Sequence, residues 1–367
     1  MVSGVDVAPS RPRRRFFRRR NAPRLPARPG SVPFRRVAAF FHRHPVLLLL
    51  CLTPGIPEYL SGSSSVAFIG KAPLLFLIFL GLNLGLYGPG VLLAREAFVR
   101  WKPGWAGLLL LGAAYGLLEE GTALSTLFNP HASVVSSLGT YGHYAGVSWV
   151  WSVGVLGVHI VLSVGLPILL LGLALPETRG QPLLTRRQVV VALVVYGVDI
   201  FLLILIANYW RQAPGLLLAA AVVALLLYAA ARALPKGTLD PRGARPRLSP
   251  VWFVPLGLAY FPVLLIVPAL GGSLRWWPPF TIAVDLLLSG ALFFFVRREV
   301  GRTGNEAALA LLALGAIVPI MLFGFLAQAF FPIVLIPDAL AGLFFYALWK
   351  RYRPGPPTPV APPVGAT

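Results

Sequence analysis

Long apolar runs recur along this chain, and their length limits what it can fold into. Ten of them have roughly the 17–25 residues that an α-helix needs to cross about 30 Å of hydrocarbon. They lie near 45–61, 72–94, 105–128, 147–175, 188–210, 214–234, 250–270, 277–296, 306–328 and 331–349. In lipid a helix satisfies its own backbone polar groups, and the alternating pattern of a membrane barrel is missing. The sequence therefore predicts an all-α, polytopic transmembrane helix bundle of about ten spans.

Composition supports this class and excludes others. The 367 residues are 57% hydrophobic and 12% charged, whereas a soluble domain carries about 25% charged residues. The net charge of +20 resembles that of a nucleic-acid binder, but its Arg residues lie in a terminal segment and between apolar runs. We therefore expect no nucleic-acid partner. The single cysteine, Cys51, excludes an intramolecular disulfide and a CxxC motif.

Charge and proline content divide the chain into three predicted regions. Residues 1–44 are rich in Arg and Pro with few apolar positions, which predicts a disordered basic cytoplasmic tail. Residues 45–349 form the predicted transmembrane helical domain, and residues 350–367 a Pro-rich cytoplasmic tail. The expected partners are the lipid bilayer and, at the basic tail, anionic lipid headgroups.

The distribution of basic residues predicts the orientation. With the N-terminus inside and ten spans, only Lys71, Arg211 and Arg275 fall on the outer side, three of the 32 Lys and Arg residues. Cytoplasmic loops carry such an excess of basic residues. Both termini are therefore predicted to be cytoplasmic. Richness in Arg, Ala, Gly, Pro and Leu is typical of a high-GC bacterium, which indicates the bacterial cytoplasmic membrane.

Ionisable residues inside the apolar runs are the candidates for function. At a helix centre each costs roughly 2.5–3.5 kcal/mol to insert. No Lys or Arg is expected at comparable depth, so each carboxylate needs a proton, a neutral hydrogen-bonding partner or a water-filled cavity. The candidates are Glu58, Glu119, Glu120, Asp199, Asp285, Asp338 and His159. The three aspartates and His159 favour a structural role as hydrogen-bonding groups between helices, whereas the Glu119–Glu120 pair leaves a structural and a functional role equally open.

Two polar stripes follow helical spacing on consecutive runs. Tyr115, Glu119 and Thr122 share one face of the third run, and Ser152, His159 and Ser163 share one face of the fourth. Consecutive helices joined by a short connection are usually neighbours. We therefore predict that the two stripes face each other across a polar pocket in the outer half of the membrane. Glu119 is predicted to lie nearer His159 than Glu120 does.

Motifs for metals, cofactors and catalysis are missing. A metal site could draw on the Glu119–Glu120 pair and His159, with His131 and His143 from the following loop, but no HExxH or CxxC spacing is present. No Walker A motif, GxSxG elbow or dinucleotide loop occurs either. The sequence therefore predicts no metal, no cofactor and no catalytic residue.

Several stretches resemble a little-characterised family of bacterial multi-pass membrane proteins. They are PEYLSGSSS at 57–65, the stretch from LYGPGVLLARE to GAAYGLLEEGTALSTLFNP within 86–130, and SWVWSVGVLGVHIVLSVGLPILL. The resemblance covers roughly the N-terminal half. It implies the membrane architecture and no particular activity.

The Glu119–Glu120 pair also resembles the first motif of the CPBP (or Abi) intramembrane proteases, EExxxR followed by FxxxH. Here Leu124 stands at the Arg position, and Val155 stands where the Phe before His159 is expected. The likeness implies glutamate-dependent proteolysis as an alternative function. In that case side chains of the glutamates and His159 must lie within contact or one water, so a separation well over about 10 Å would exclude it.

The sequence favours a non-enzymatic role. The leading hypothesis is transport or binding of an unidentified small solute or ion through the polar pocket, because ionisable groups in spans commonly mark ion or proton pathways. The first alternative is the glutamate-dependent protease. The second is a non-catalytic assembly or signalling protein whose basic tail binds lipid or recruits a partner.

Overall fold

A computed structural model of the protein describes residues 32–64, 66, 68–241, 248–301, 306–328, 333 and 335–352. Contacts divide the chain into two units, residues 1–40 and residues 41–367. Within the predicted basic tail, residues 1–31 lie outside the described part, whereas Val32–Arg43 is helical. Its apolar residues Val37, Phe40 and Phe41 recur at helical spacing, which favours a helix over an irregular segment. The C-terminal tail from residue 353 also lies outside the described part.

Helices make up nearly all of the described chain. They are α1 (Val32–Arg43), α2 (Pro45–Pro54), α3 (Phe68–Lys71), α4 (Pro73–Trp101), α5 (Gly104–Gly116), α6 (Trp149–Val158), α7 (Leu166–Ala174), α8 (Arg186–Ala207), α9 (Pro214–Ala233), α10 (Phe253–Leu258), α11 (Val267–Ser273), α12 (Pro278–Val300), α13 (Glu306–Gln328) and α14 (Leu335–Tyr352). Short π-helical segments continue several of them, at Gly55–Leu60, Leu117–Ala123, His159–Gly165 and Pro262–Ile266. Strands β1 (His143–Tyr144) and β2 (Val147–Ser148) form a small antiparallel hairpin before α6.

The predicted all-α polytopic bundle is confirmed. In the described residues, seven helices are long and apolar enough to cross a membrane, or eight if one bent pair near the start is included. The seven are Pro73–Trp101, Trp149–Ala174, Arg186–Ala207, Pro214–Ala233, Pro250–Ser273, Pro278–Val300 and Glu306–Gln328. The runs near 45–61 and 105–128 and the described part of the run near 331–349 are largely helical but do not reach this threshold alone, so the count of ten stays a prediction.

Exposed side chains on these helices are those of a protein surrounded by lipid. Leu74, Val194, Leu218 and Leu287 each expose more than half of their surface, whereas Asp199 and Asp285, which lie on two of the same helices, are buried. A soluble protein rarely exposes such a continuous apolar surface. The helices therefore contact the bilayer through these faces.

Local sequence explains where several helices begin. Proline occupies the first turn of α2, α4, α9 and α12, where its missing N–H is not needed. Helix α8 begins with a capping box, in which the Thr185 hydroxyl accepts from the Gln188 backbone N–H and the Gln188 side chain accepts from the Thr185 N–H.

A buried ionic cluster joins α4 to the loop before α8. Arg95 lies just beyond the predicted apolar run near 72–94, yet it lies inside α4 and is only 2% exposed. It donates to Glu96 at 3.1 Å and to the Thr178 carbonyl at 2.6 Å. Glu96 also accepts from Arg100 at 2.9 Å. Because α4 continues to Trp101 without a break, Arg95 lies in the core, whereas Arg100 one turn further along stays exposed.

Close helix packing elsewhere depends on glycine. Gly257 of α10 and Gly315 of α13 face each other, and a Cβ atom at Gly315 would lie 3.1 Å from the Gly257 Cα and in collision with the Val254 carbonyl oxygen. Small residues at such crossings let two helix backbones approach.

We predict that Gly315→Ala lowers the thermal unfolding midpoint in detergent. Overpacking a core costs about 1–3 kcal/mol, which exceeds the gain in helix propensity of up to about 1 kcal/mol. Gly290→Ala in α12 is the matched control, because nothing lies within 4 Å of a Cβ there. Equal midpoints for the two variants would contradict this account of the α10–α13 crossing.

The orientation predicted from basic residues is testable by cysteine labelling. In a Cys51→Ser background, Tyr144→Cys in the β1–β2 hairpin should react with a membrane-impermeant maleimide in intact cells. Gln181→Cys, in the loop before α8, should react only after permeabilisation. Both positions are exposed. The opposite pattern would place the termini outside.

Candidate functional site

Three π-helical segments contain the candidate ionisable residues of the first, third and fourth apolar runs. Gly55–Leu60 contains Glu58, Leu117–Ala123 contains Glu119 and Glu120, and His159–Gly165 contains His159 and Ser163. The bond from the Leu124 N–H to the Glu119 carbonyl, 2.8 Å long, has the i to i+5 spacing of a π-helix. Such segments are rare and occur frequently at functional sites.

His159 brings the two predicted stripes together. Its Nε2 lies 3.0 Å from Glu120 Oε1, and its Nδ1 lies 2.9 Å from Ser163 Oγ and 3.3 Å from Glu119 Oε2. Glu119 and His159 are 1% and 3% exposed, so both are deeply buried. We refer to Glu119, Glu120, His159 and Ser163 as the buried cluster.

The predicted order of distances to His159 is wrong. Glu120, not Glu119, makes the shorter contact, 3.0 Å against 3.3 Å. The prediction assumed α-helical periodicity, in which neighbouring residues point about 100° apart. The π-helical segment changes this angle between neighbouring side chains, and both carboxylates reach the same imidazole.

Glu120 is held from its other side as well. The Thr126 hydroxyl donates to Glu120 Oε2, and Trp151 Nε1 donates to that hydroxyl at 3.1 Å. Thr126 follows Ser125, a buried non-glycine residue with a φ of +56°. This uncommon backbone conformation ends the helix at Ala123 and turns Thr126 back toward Glu120.

Aromatic residues surround Glu119 and His159. The ring of Tyr115 lies 5.8 Å from that of His159, 5.9 Å from Tyr87 and 6.4 Å from Tyr196. In the described structure the hydroxyls of Tyr115 and Tyr196 and Glu119 Oε2 are buried without a hydrogen-bond partner. Unsatisfied buried polar atoms are rare and require an explanation.

Glu58 forms a neighbouring group. Its Oε1 accepts from the Tyr87 hydroxyl at 2.7 Å and its Oε2 from Ser64 at 2.6 Å. Ser64 also lines an open cleft of about 130 Å³ with Tyr59 and Phe76. Tyr87 and Ser64 were missed in the sequence, although Ser64 belongs to the polar PEYLSGSSS stretch and could have been marked by it.

The remaining candidates lie elsewhere. Thr122 donates to the Leu217 carbonyl of α9, and Ser152 donates to the Ser148 carbonyl, so neither touches His159 through a hydrogen bond. Asp285 accepts from Ser289 on its own helix. Asp199 is buried in α8 with one unpartnered oxygen, and Asp338 is partly buried in the first turn of α14.

The predicted open pocket is a packed polar cluster among the described residues. Glu120, the most exposed member, shows only 8% of its surface. The tyrosine rings and close helix approach fill the space. A Cβ at Gly116 would lie 2.9 Å from Leu156 and 3.0 Å from His159 Cβ, so this glycine admits the helix that carries His159.

The chemistry of the cluster is that of two carboxylates and one imidazole in a site with little water. One donor atom from each of Glu119, Glu120 and His159 lies within 4.8 Å of the others. No Lys or Arg forms an ion pair with these carboxylates in the described chain. The group can hold protons or a metal ion between its donor atoms, and it can position a base beside an acid.

Comparison with known families agrees with this architecture. The chain belongs to an uncharacterised membrane protein family, whose model matches residues 47–342. Membership confirms the resemblance to a little-characterised multi-pass family, while the likeness to CPBP proteases stays a hypothesis. No match was found among curated proteins or among solved structures.

We predict that the buried cluster lowers stability relative to an apolar core. His159→Leu alone should destabilise the protein by about 3–5 kcal/mol, because it leaves buried carboxylates without their partner. Combining it with Glu119→Met and Glu120→Met should restore or exceed the original stability, since apolar replacement of a buried ionic group is often neutral or stabilising. Denaturation midpoints in detergent measure both. A triple variant as unstable as His159→Leu would indicate a structural role for the cluster.

Proposed function

We propose that this protein binds a cation at Glu119, Glu120 and His159 within the membrane and that the binding is coupled to transport. The observation that carries this proposal is the contact of one buried imidazole with two buried carboxylates, at 3.0 and 3.3 Å. Ionisable groups inside spans are costly and commonly mark ion or proton pathways.

An excess of negative charge in the cluster supports a cation as the ligand. Two carboxylates face a single imidazole, so even a protonated His159 leaves one negative charge uncompensated when both acids are ionised. A bare charge in a medium of low dielectric constant is strongly unfavourable. A proton or a metal ion between these groups removes that cost. Exchange of such an ion is the simplest use of the site.

Access to the cluster can follow a series of polar groups. The cleft beside Tyr59 reaches Ser64, which donates to Glu58, and Glu58 accepts from Tyr87. The Tyr87 ring is 5.9 Å from Tyr115, which in turn packs on His159. A small ion or a proton can use such a route with modest side-chain movement, whereas a solute of several atoms needs the helices to separate.

A glutamate-dependent intramembrane protease is the second candidate, favoured by one observation. His159 lies within 3.3 Å of both carboxylates, well inside the distance that proton transfer requires. One carboxylate would take a proton from water as the oxygen attacks the peptide carbonyl, and the proton would leave on the amine when the C–N bond breaks. A peptide must then reach groups that are at most 8% exposed, which makes ion binding the better-supported function.

The assembly or signalling hypothesis depends on the basic segment before residue 32. That segment lies outside the described residues, and partner recruitment by it stays a prediction. Deleting residues 1–31 while retaining the helical bundle would test it by the loss of recovered partners.

Transport coupling is tested by charge displacement on a solid-supported membrane. Proteoliposomes should give a capacitive current on concentration jumps of at least one of H⁺, Na⁺, Ca²⁺ or Zn²⁺. Glu119→Gln with Glu120→Gln should abolish that current, because the neutral amides neither release a proton nor attract a cation.

Asp285→Asn is the matched control. It removes a carboxylate that is equally buried, at 2% exposure, on a different helix, and it should leave the current unchanged. If no cation produces a current that depends on Glu119 and Glu120, the coupled function is wrong. Cleavage of a membrane peptide that stops in Glu120→Gln would support the protease instead.

A further inference from the structure

We propose that Glu119, Glu120 and His159 form a binding site for one divalent transition-metal ion of the Zn²⁺ type. This inference rests on the proposed cation-binding function and names the ligand class. The three donor atoms, one nitrogen and two carboxylate oxygens, lie within 4.8 Å of one another. Ligands on a tetrahedral zinc with bonds of about 2.0–2.1 Å are separated by roughly 3.3 Å, so small side-chain adjustments suffice.

Neighbouring hydroxyls hold two of the ligands in the orientation that a metal requires. Ser163 Oγ lies 2.9 Å from His159 Nδ1, which leaves Nε2 directed at Glu120. The hydroxyl of Thr126 accepts from Trp151 Nε1 and therefore donates its own proton to Glu120 Oε2. Metal-bound His and carboxylate groups usually have such hydrogen-bonding partners on their far side.

The contact between His159 Nε2 and Glu120 Oε1 fits either a proton or a metal ion, depending on which ring nitrogen of His159 carries the hydrogen. When Nδ1 donates to Ser163, the lone pair of Nε2 faces Glu120 Oε1 at 3.0 Å. Two acceptors at this separation need a proton or a metal ion between them. Glu119 Oε2 is buried, aimed at the same imidazole and without a hydrogen-bond partner among the described residues. A dication held between one donor atom of each residue would neutralise both carboxylates.

The donor set discriminates among metals. Ca²⁺ takes six to eight oxygen ligands, and Mg²⁺ retains several waters in octahedral geometry. A nitrogen ligand in a cluster whose ligands are at most 8% exposed fits neither of them. Imidazole with carboxylates suits Zn²⁺ and other transition metals, and three protein ligands leave the fourth position open for water or exchange. An open coordination position is better suited to an ion that enters and leaves than to an ion that is permanently bound.

Equilibrium metal binding tests the site directly. Tag-free protein in detergent, stripped with chelator, is titrated with Co²⁺ as a spectroscopic probe and then with Zn²⁺. We expect one Co²⁺ per chain with the intense visible absorption of four-coordinate cobalt, displaced by one equivalent of Zn²⁺. Zn²⁺ should also raise the thermal unfolding midpoint, while Ca²⁺ and Mg²⁺ at the same concentration should not.

Variants assign the ion to these residues. Glu120→Gln and His159→Gln should abolish the four-coordinate spectrum, and Ser163→Ala, which keeps every ligand, should weaken Zn²⁺ binding by about 10–100-fold. His131→Gln with His143→Gln, in the loop between Ala123 and α6, is the control and should bind one Co²⁺ as before. If a cluster variant fails to fold, Ser163→Ala and the Zn²⁺-dependent midpoint of the unaltered protein still decide the question.

Two results would overturn the metal site. One is an octahedral, aquo-like Co²⁺ spectrum, and the other is binding that is lost with His131 and His143 rather than with His159. Failure of the metal-site proposal is distinguishable from failure of the proposed transport function. A Glu119- and Glu120-dependent proton current without metal binding refutes only the metal, whereas stoichiometric Zn²⁺ binding without any current refutes only the transport coupling.

Discussion

The contact of His159 with two carboxylates is the interaction on which the rest of the site depends. None of these groups is stable alone in a buried, lipid-surrounded interior, because an isolated charge there is strongly unfavourable. Together they compensate one another, through a hydrogen bond of 3.0 Å between His159 and Glu120 and a contact of 3.3 Å between His159 and Glu119. The surrounding elements act to keep that contact: Gly116 admits the His159 helix, Thr126 and Ser163 hold the outer atoms, and Tyr115 excludes water.

The π-helical segments explain how one imidazole reaches adjacent residues. In an α-helix Glu119 and Glu120 would point about 100° apart, and one of them would face lipid or another helix. The i to i+5 bond at Glu119 widens this turn, and a second widened turn begins at His159 itself. Interrupted helices and the positive φ of Ser125 cost stability. The π-helical segments contain four of the ionisable candidates, which indicates that regular helix geometry is given up where ionisable groups must converge.

The sequence predicted the features that depend on length and periodicity. Seven of the ten apolar runs are helices long and apolar enough to span a membrane in the described structure, and the polar stripes at helical spacing predicted that Glu119, His159 and Ser163 meet at one interface. Features that depend on a change from α-helical to π-helical periodicity were not predictable in this way. Glu120 takes the closer position because of the π-helical turn, and Thr122 and Ser152 turn instead to backbone carbonyls. Arg95 was missed for a related reason, since an unbroken α4 takes it into the core.

The donors and acceptors of the cluster distinguish a functional site from a structural hydrogen-bonded contact between helices. A structural contact requires matched donors and acceptors, as in the hydrogen bond between the Tyr141 and Thr281 hydroxyls at 2.6 Å. In the cluster this matching is incomplete, because Glu119 Oε2 is buried without a hydrogen-bond partner among the described residues. An apolar residue of similar volume would remove this deficit at no structural loss. Retaining two acids beside one base, in widened turns and next to a polar route from an open cleft, is consistent with a site that holds a cation transiently rather than with one that only joins helices.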